Sequence, residues 1–435
     1  MAMNSKKVIN GWCMYDWANS VYSLVITTAI FPIYYNSVTT NISGSDIVTF
    51  FGIDIVNSVL YSYSLSFSFL ILTFIQPVLS GIADFTNRKK IFLKIFMYLG
   101  SFSCMSLYFF DGNNVEYGII FSMLASLGFS GSLVFYNAFL PEIVDFKHLD
   151  KVSARGYSFG YVGSVILLII SLIMIIFYEF FGFNNNSEAT RFTFLLVGIW
   201  WILFSQITFI SLHEESSKVK ISKHIIFYGV KELKKVWVIL KSYNNIKLYL
   251  FAFFFYSMGV QTIMLLASYF GDKELGLDQN KLIMTVLIIQ LIAIIGAYLF
   301  AEVSKIKGNK YSLILMNLIW IIICIWGYYV YKEIQFYFLA ACVGMVMGGI
   351  QSLSRSTFSK LIPIEIGDNA SFFNFYGITY NISVVLGTFS YGYIEQITGS
   401  MRSSIIALAF FFLIGLIILF FVKIENNKYD LSVST

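Results

Sequence analysis

The chain alternates long apolar stretches with short polar connections. Several stretches are continuously apolar, as in "LLIISLIMIIF" (167–177) and "IIALAFFFLIGLIILFF" (405–421). An α-helix needs about 20 such residues to cross a bilayer, whereas a membrane barrel strand alternates polar and apolar positions over roughly 10 residues. We therefore predict an all-α polytopic membrane protein with twelve transmembrane helices, at about residues 11–35, 57–83, 91–110, 117–140, 156–179, 192–212, 247–270, 281–302, 311–331, 335–362, 370–395 and 402–423.

The longest polar connection divides these helices into two sets of six. It predicts an N-terminal six-helix half at 1–212, a basic linker on the cytoplasmic side at 213–246 and a C-terminal six-helix half at 247–435. The linker resembles a lipid-binding basic helix in its mixture of apolar and basic positions, but we favour a linker helix lying at the membrane surface.

Weak internal similarity supports a duplicated six-helix unit. The segment "LSGIADFTNRKK" (79–90) follows the second predicted helix, and "YLFAEVSKIKGNK" (298–310) follows the eighth. The fourth helix ends in "FLPEI" (139–143) and the tenth in "LIPIEI" (361–366). Transporters are often built from such repeats, with the binding site near the repeat interface.

The distribution of basic residues predicts the orientation. When both termini and the even-numbered connections are placed on one side, that side holds 24 of the 29 lysine and arginine residues. The positive-inside rule makes it the cytoplasmic side, and the short loops favour a bacterial inner membrane. The asymmetry accounts for the net charge of +5, so we expect no nucleic-acid partner. We expect a monomer embedded in the lipid bilayer.

Composition supports a membrane protein, and the sequence shows no motif of enzymatic chemistry. Charged residues are 12% of the chain and hydrophobic residues 58%, against about 25% charged in soluble domains. The four cysteines have no CxxC spacing, the three histidines fall in predicted loops, and no P-loop motif occurs. We expect no metal and no cofactor. A lipid-modifying membrane enzyme is the alternative class, but the nucleophile or metal cluster it needs does not appear. A channel is the third class, and it would show a filter-like loop and lack the repeat of two halves.

The first predicted helix carries a polar stripe. Its members follow helical spacing and lie on one face; they are Asp16, Asn19, Ser20, Ser23 and Thr27. Polar side chains on a spanning helix face the bundle interior or a water-filled cavity, because lipid penalises them. The stripe therefore predicts a wet central cavity.

The segment "GIADFTNRKK" (81–90) resembles the loop signature of the major facilitator superfamily between its second and third helices. There the acid and the basic residues are thought to lock one conformation by pairing at the cytoplasmic face. The alternative is an ordinary positive-inside loop. We expect a gate formed by this loop, its echo in the second half and the connection between the fourth and fifth helices: Gly81, Asp84, Arg88, Glu142, Arg155 and Glu302.

A more particular resemblance begins at "YDWANSVY" (15–22). With "FYNAFLPEI" (135–143), "VSARGYSFGYVGS" (152–164), "FAFFFYSMGVQTI" (251–263), "GGIQSLSRSTFSKLIP" (348–363) and "SFFNFYG" (371–377), the chain resembles the vacuole effluxer family, a branch of that superfamily. The resemblance implies a secondary-active transporter of small solutes. Fungal members are linked to amino-acid efflux from the vacuole, so it also implies export of amino acids. The residues leave two alternatives for coupling, a proton carried through Asp16 or uncoupled diffusion. A facilitator of another small metabolite is a further alternative.

The chain departs from the family pattern at three places. Met258 stands where the family usually has an acid, Asn381 where it often has a lysine, and Gly387-Thr388 where it has Gly-Pro. If the acid and the lysine normally pair, losing both avoids an uncompensated buried charge. A coupling mechanism that relies on them is therefore in doubt.

In the superfamily the first, fourth, seventh and tenth helices line the central cavity. The resemblance therefore adds polar residues of the last three to the stripe as substrate-binding candidates. The full set is Asp16, Asn19, Ser20, Ser23, Asn137, Ser257, Gln261, Gln351 and Arg355.

Asp16 and Arg355 are the charged candidates deepest within the predicted helices. They lie about 8 Å and about 12 Å from the cytoplasmic ends of their helices at helical rise. One hypothesis gives Arg355 the carboxylate of an amino acid and Asp16 its amino group. The other makes both members of gate ion pairs, with Asp16 meeting Arg155 and Arg355 meeting Glu365 or helix-end carbonyls. The sequence leaves both open.

Overall fold

The computed structural model describes residues 3–40, 46–214, 225–363 and 367–424. Within these ranges the first membrane-length helix consists of α1, a π-helical segment and α2. A two-stranded hairpin follows, and the remaining helices succeed one another. The bounds are α1 Lys6–Val21, π segment Tyr22–Ile30, α2 Phe31–Thr39, β1 Ile47–Phe50, β2 Ile53–Val56, α3 Asn57–Thr86, α4 Lys89–Ser106, a 3-10 turn Leu107–Phe109, α5 Val115–Ala138, α6 Leu140–Ile143, α7 Leu149–Ile176, α8 Asn186–Ser211, α9 Ile225–Ser242, α10 Asn244–Leu275, α11 Gln279–Lys307, α12 Asn309–Tyr328, α13 Glu333–Leu361, α14 Asn369–Thr398 and α15 Met401–Phe421.

The predicted all-α fold with twelve membrane-length helices is confirmed. In the described part of the chain, 11 helical segments are both long enough and apolar enough to cross a membrane. The twelfth is α14, which has 30 residues but carries many polar side chains. Helix α14 packs against α3, α5, α10 and α15, and several of its polar side chains, among them Asn374, Asn381 and Ser383, are buried inside the bundle.

The apolar pattern places most helices well but misses, among other features, the start of α7 and a short hairpin. Helix α7 begins at Leu149 rather than at the predicted 156. The prediction starts too late because it assigns the charged residues Lys151 and Arg155 to the preceding connection, whereas both lie within the helix. The short hairpin β1–β2 is not predicted. Its turn residues Phe51 and Gly52 both have positive φ angles, 48° and 83°, the backbone that a two-residue type I′ turn requires.

We call the first six membrane-length helices the first half and the last six the second half. The halves meet where α3 packs against α14 and where α7 packs against α11 and α13. We call the end of the bundle where α1 begins and α15 ends the basic end. There Asn4 donates to the carbonyl of Ile143. The predicted residue limits of the two halves stay predictions.

Helix α9 is an amphipathic helix that touches both halves at the basic end. It packs closely on α3, where the rings of Phe85 and Tyr228 stack with centroids 4.8 Å apart. On the other side, Lys235 of α9 lies 2.8 Å from the carboxylate of Asp368, just before α14. Residues 215–224 of the predicted linker lie outside the described residues.

Candidate functional site

A cavity of about 240 Å³ lies between the two halves. Its wall is built from helices of both halves, among them α1 with the π segment, α5, α7, α10, α13 and α14. The lining includes every residue that the sequence predicted to bind substrate: Asp16, Asn19, Ser20, Ser23, Asn137, Ser257, Gln261, Gln351 and Arg355. Polar groups on the spanning helices thus converge on one interior space.

The π segment runs along this cavity, which Ser23, Thr27 and Thr28 line. The hydroxyl of Thr28 donates to the carbonyl of Ser23 over 2.8 Å, five residues earlier in the chain. Pro32 follows at the start of α2. A proline has no N–H and its ring clashes with the carbonyl four residues before it, which disfavours an ordinary α-helical turn there. Such wide turns in helices are frequent at functional sites.

Asp16 and Arg355 form an ion pair across the halves. The pair lies at the end of the cavity nearer the basic end, which we call the cavity floor. The Nη1 atom of Arg355 donates to Oδ2 of Asp16 over 3.1 Å, and the two side chains are 2% and 6% exposed. Tyr136 donates its hydroxyl to the same carboxylate oxygen over 2.8 Å. A buried ion pair is tolerated only when further hydrogen bonds satisfy its members, and both partners here have them.

Asp16 therefore meets Arg355, and not Arg155, the partner that the gate hypothesis gave it. Arg155 lies with its guanidinium 5.3 Å from the ring centre of Phe159. Glu365 lies outside the described residues. The pair therefore has the feature that each hypothesis requires. Its two charges lie at the cavity floor, as solute binding requires, and they join the two halves, as a gate requires.

Glycines of α7 make room for this pair and for α1. A Cβ atom on Gly156 would lie 2.4 Å from Oδ2 of Asp16 and 2.9 Å from Nη2 of Arg355. One turn further, a Cβ on Gly160 would lie 2.3 Å from the hydroxyl of Ser20. Small residues at such spacing let membrane helices approach closely, so α7 fixes the polar stripe of α1 against the cavity.

A second buried ionic network joins the halves nearer the basic end, and the sequence did not single it out. Asp150 of α7 accepts hydrogen bonds from Lys360 over 2.6 Å, Ser304 over 2.7 Å, Asn309 over 2.8 Å and Ser356 over 2.7 Å. All four donors belong to the second half. Asp150 is thus a carboxylate of the first half that is satisfied entirely by the second.

Two of the predicted gate residues also contact the second half. Both carboxylate oxygens of Asp84 accept backbone N–H groups at the start of α14, from Ala370 over 3.1 Å and Ser371 over 2.7 Å. A negative charge is favoured there by the helix dipole. Glu142 accepts from Lys89 of its own half and from Asn369 over 2.9 Å.

The other predicted gate residues lie elsewhere. Gly81 faces α9, where a Cβ would lie 2.2 Å from the carbonyl oxygen of Gly229. Arg88 is half-buried at the residue before α4. Glu302 is exposed and lies 3.6 Å from Lys305 of its own helix.

Several lining residues were not among the candidates. They include tyrosines and amides of α7, α11 and α14: Tyr157, Tyr161, Gln290, Tyr376, Tyr380 and Asn381. Tyr161 donates to Gln351 over 2.7 Å, and Tyr380 donates to Gln261 over 3.0 Å. The pattern "YSFGY" (157–161) puts two tyrosines on the glycine-rich helix, a signal that could have identified this wall. Among the described residues, no group of three or more histidine, cysteine, aspartate or glutamate side chains could hold a metal ion.

Comparisons with known sequences cover nearly the whole chain. The family model described as "Vacuole effluxer Atg22 like" matches residues 4–432. The "Uncharacterized MFS-type transporter YxiO" of Bacillus subtilis is 32% identical over 97% of this chain and 96% of its own length. Autophagy-related protein 22-1 of Aspergillus fumigatus is 21% identical over 98% of this chain and 91% of its own length.

Solved structures of major facilitator transporters share the fold. The transporter FucP in its outward conformation superposes with a TM-score of 0.69 at 11% identity, over 96% of this chain and 98% of its own. The proton:xylose symporter XylE gives a TM-score of 0.70 at 12% identity, over 96% and 94%.

Proposed function

This chain belongs to the vacuole effluxer Atg22-like family of major facilitator-type transporters, and on that premise we propose that it exports small solutes, amino acids foremost, by alternating access. The observation that carries the proposal is the cavity between the halves, with the Asp16–Arg355 pair at its floor. In transporters built from repeats, the substrate site lies near the midplane at the repeat interface, and the halves rock about it.

The chemistry of the cavity suits a small zwitterion. Asp16 would bind the ammonium group and Arg355 the carboxylate, while Gln261 and Gln351 offer amide hydrogen bonds. The volume of about 240 Å³ is below the roughly 300–1,000 Å³ of pockets for drug-sized ligands. The family resemblance, through fungal members linked to amino-acid efflux, favours amino acids within this class.

We assign the gate to the basic end, and we propose that this end lies on the cytoplasmic side of a bacterial inner membrane. The placement follows from the positive-inside rule and from the 24 of 29 basic residues counted on that side in the sequence. Asp84 and Glu142 would act directly, since both contact the start of α14. Gly81, Arg88, Arg155 and Glu302 would act through α9 or in another conformation.

Counterflow of labelled amino acids and peptides into liposomes containing the purified protein tests the function. Asp16→Asn and Arg355→Lys each remove one proposed ligand and should weaken the apparent affinity by roughly ten-fold or more, as expected for a lost charge-assisted contact. The matched control is Glu333→Gln, which neutralises a carboxylate bound to Lys281 away from the cavity. Near-normal affinity in both site variants would end the ligand assignment, and no counterflow of any tested solute by the wild type would end the amino-acid proposal.

A further inference from the structure

The guanidinium group of Arg355 is enclosed almost entirely by the opposite half. Its Cζ atom lies 4.2 Å from the ring centre of Tyr157, 4.8 Å from that of Trp12 and 5.6 Å from that of Tyr136. Its Nε donates to the hydroxyl of Ser153 over 2.9 Å, and its Nη2 donates to the carbonyl of the same residue over 2.8 Å. Together with Asp16, these groups of α1, α5 and α7 form what we call the cation cage: Trp12, Asp16, Tyr136, Ser153 and Tyr157.

Three of the five members of the cation cage are held together by contacts within the first half. The rings of Trp12 and Tyr136 stack with centroids 4.5 Å apart and planes 13° apart. The indole N–H of Trp12 donates to the carbonyl of Tyr136 over 3.0 Å, and Tyr136 donates its hydroxyl to Asp16. None of these contacts involves Arg355, and the other two members lie on α7, which packs against α1. A rigid movement of the second half would therefore leave the cage assembled.

A vacated cage would favour another cation. Separation of the halves at the basic end withdraws Arg355 with α13 and leaves the Asp16 carboxylate without its counter-charge, which is strongly unfavourable for a buried group. Aromatic faces around a carboxylate bind organic ammonium and guanidinium groups, and the attraction is stronger where water is excluded. The cage therefore has the composition of a cation site whether or not Arg355 occupies it.

The cage also adjoins the cavity. Asp16 and Tyr157 belong to both, and Arg355, which occupies the cage, also lines the cavity. Trp12 and Tyr136 lie beneath them with 0% exposure. A solute in the cavity therefore reaches the cage without crossing another layer of side chains.

We propose that the cation cage is a binding site for the organic ammonium or guanidinium group of the transported solute, which replaces Arg355 there when the halves separate at the basic end. The inference rests on the proposed transport function and names the recognition chemistry of that site. A zwitterion restores both charges at once, because its cation fills the cage and its anion pairs with the released Arg355. A solute that carries only a cationic group or only an anionic group leaves one member of the separated Asp16–Arg355 pair uncompensated.

Ligand binding to an emptied cage tests the inference without requiring transport. In the purified full-length Arg355→Ala variant, ethylguanidinium should raise the melting temperature at millimolar concentration, whereas the Arg355→Ala/Asp16→Asn double variant should show no such rise. In the Arg355→Ala background, Tyr157→Leu should weaken ethylguanidinium binding by roughly ten-fold through the lost aromatic face. Tyr157→Phe keeps the ring and should bind within about two-fold of its parent. An equal temperature rise with and without the Asp16 carboxylate would overturn the proposal.

A second measurement covers the case in which Arg355→Ala does not fold. In the wild type, ethylguanidinium should compete with the transported solute in counterflow, and Tyr157→Leu but not Tyr157→Phe should raise its inhibition constant. Equal inhibition of all three proteins would overturn the cage. Cage binding without amino-acid counterflow would refute the proposed function and leave the cage standing, whereas counterflow without cage binding would do the reverse.

Discussion

Gly156 leaves the space that the Asp16–Arg355 pair occupies, because a Cβ atom there would lie 2.4 Å from the Asp16 carboxylate. We expect Gly156→Ala to push the two charged groups apart. Overpacking of a tight interior costs about 1–3 kcal/mol, so the variant should melt at a lower temperature. It should also lose most of its counterflow activity, since the pair forms the floor of the proposed binding site. Thermal unfolding of the purified protein and counterflow in liposomes measure the two effects.

Gly327→Ala is the matched control for that substitution. Gly327 is also a buried helical glycine, but a Cβ atom there would meet its nearest neighbour, Ile405, at 3.4 Å, which is an ordinary contact. If Gly156→Ala behaves like Gly327→Ala in both measurements, the close approach at α7 does not position the pair.

At the residue scale, the sequence predicts where polar side chains point better than which side chains they meet. Asp16 and Ser23 had to face a cavity because lipid penalises polar groups, and both line it. The Asp150–Lys360 contact joins positions 210 apart in the chain. Both residues stand near helix ends, where charges are expected for orientation alone. Nothing in their local sequence distinguishes a buried pair from a loop charge.

At the scale of elements, α9 is held on α3 by two facing glycines. A Cβ on Gly81 would lie 2.2 Å from the carbonyl oxygen of Gly229. Gly81→Ala should therefore displace α9 from α3, and an overpacking cost of roughly 1.4 kcal/mol would make amide hydrogen exchange in α9 about ten-fold faster. Hydrogen–deuterium exchange of the purified protein, read on peptides from 225–242, measures this.

The comparison variant is Gly392→Ala on α14, where a new Cβ would meet no atom within 4 Å. Its exchange in α9 should match that of the wild type. Unchanged exchange in Gly81→Ala would mean that α9 is held by its other contacts, such as Lys235 with Asp368, and that the glycine pair adds nothing.

Element limits could be predicted because apolar runs end where charges begin. The rule fails at α7, whose first turns carry Lys151 and Arg155 and still form helix against the second half. It also fails at β1–β2, where the turn at Phe51 and Gly52 depends on positive φ angles that a hydropathy pattern does not report. The nine-residue π segment likewise depends on backbone hydrogen bonding.

At the scale of the whole molecule, polar contacts between described residues of the two halves concentrate at the basic end and the cavity floor. Asp84, Glu142 and Asp150 of the first half all bind groups of the second, and Arg355 binds the first half in return. The cavity is therefore closed at the basic end in this conformation. Alternating access requires these contacts to break together, so weakening one should shift the balance between conformations.

Asp150→Asn should raise the population that is open at the basic end, because it weakens a buried carboxylate that four second-half side chains satisfy. Ser352→Cys supplies the reporter in a chain whose exposed Cys342 is replaced by serine. Ser352 is 0% exposed and lies one helical turn from Ser356, on the same face of α13. We expect a hydrophilic maleimide to label it several-fold faster in Asp150→Asn, as follows from a shift of about 1 kcal/mol in the conformational equilibrium.

Two further variants distinguish separation of the halves at the basic end from a general loss of packing in the protein. Glu333→Gln breaks the Lys281 pair within the second half and should leave the labelling rate unchanged. Adding Lys360→Met to Asp150→Asn removes the uncompensated lysine, and replacing both members of a buried pair is far less disruptive than removing one. The double variant should therefore fold as stably as the single one or better, yet label faster than the wild type because the tie between halves is gone. Wild-type labelling in that double variant would show that the Asp150 network does not hold the basic end closed.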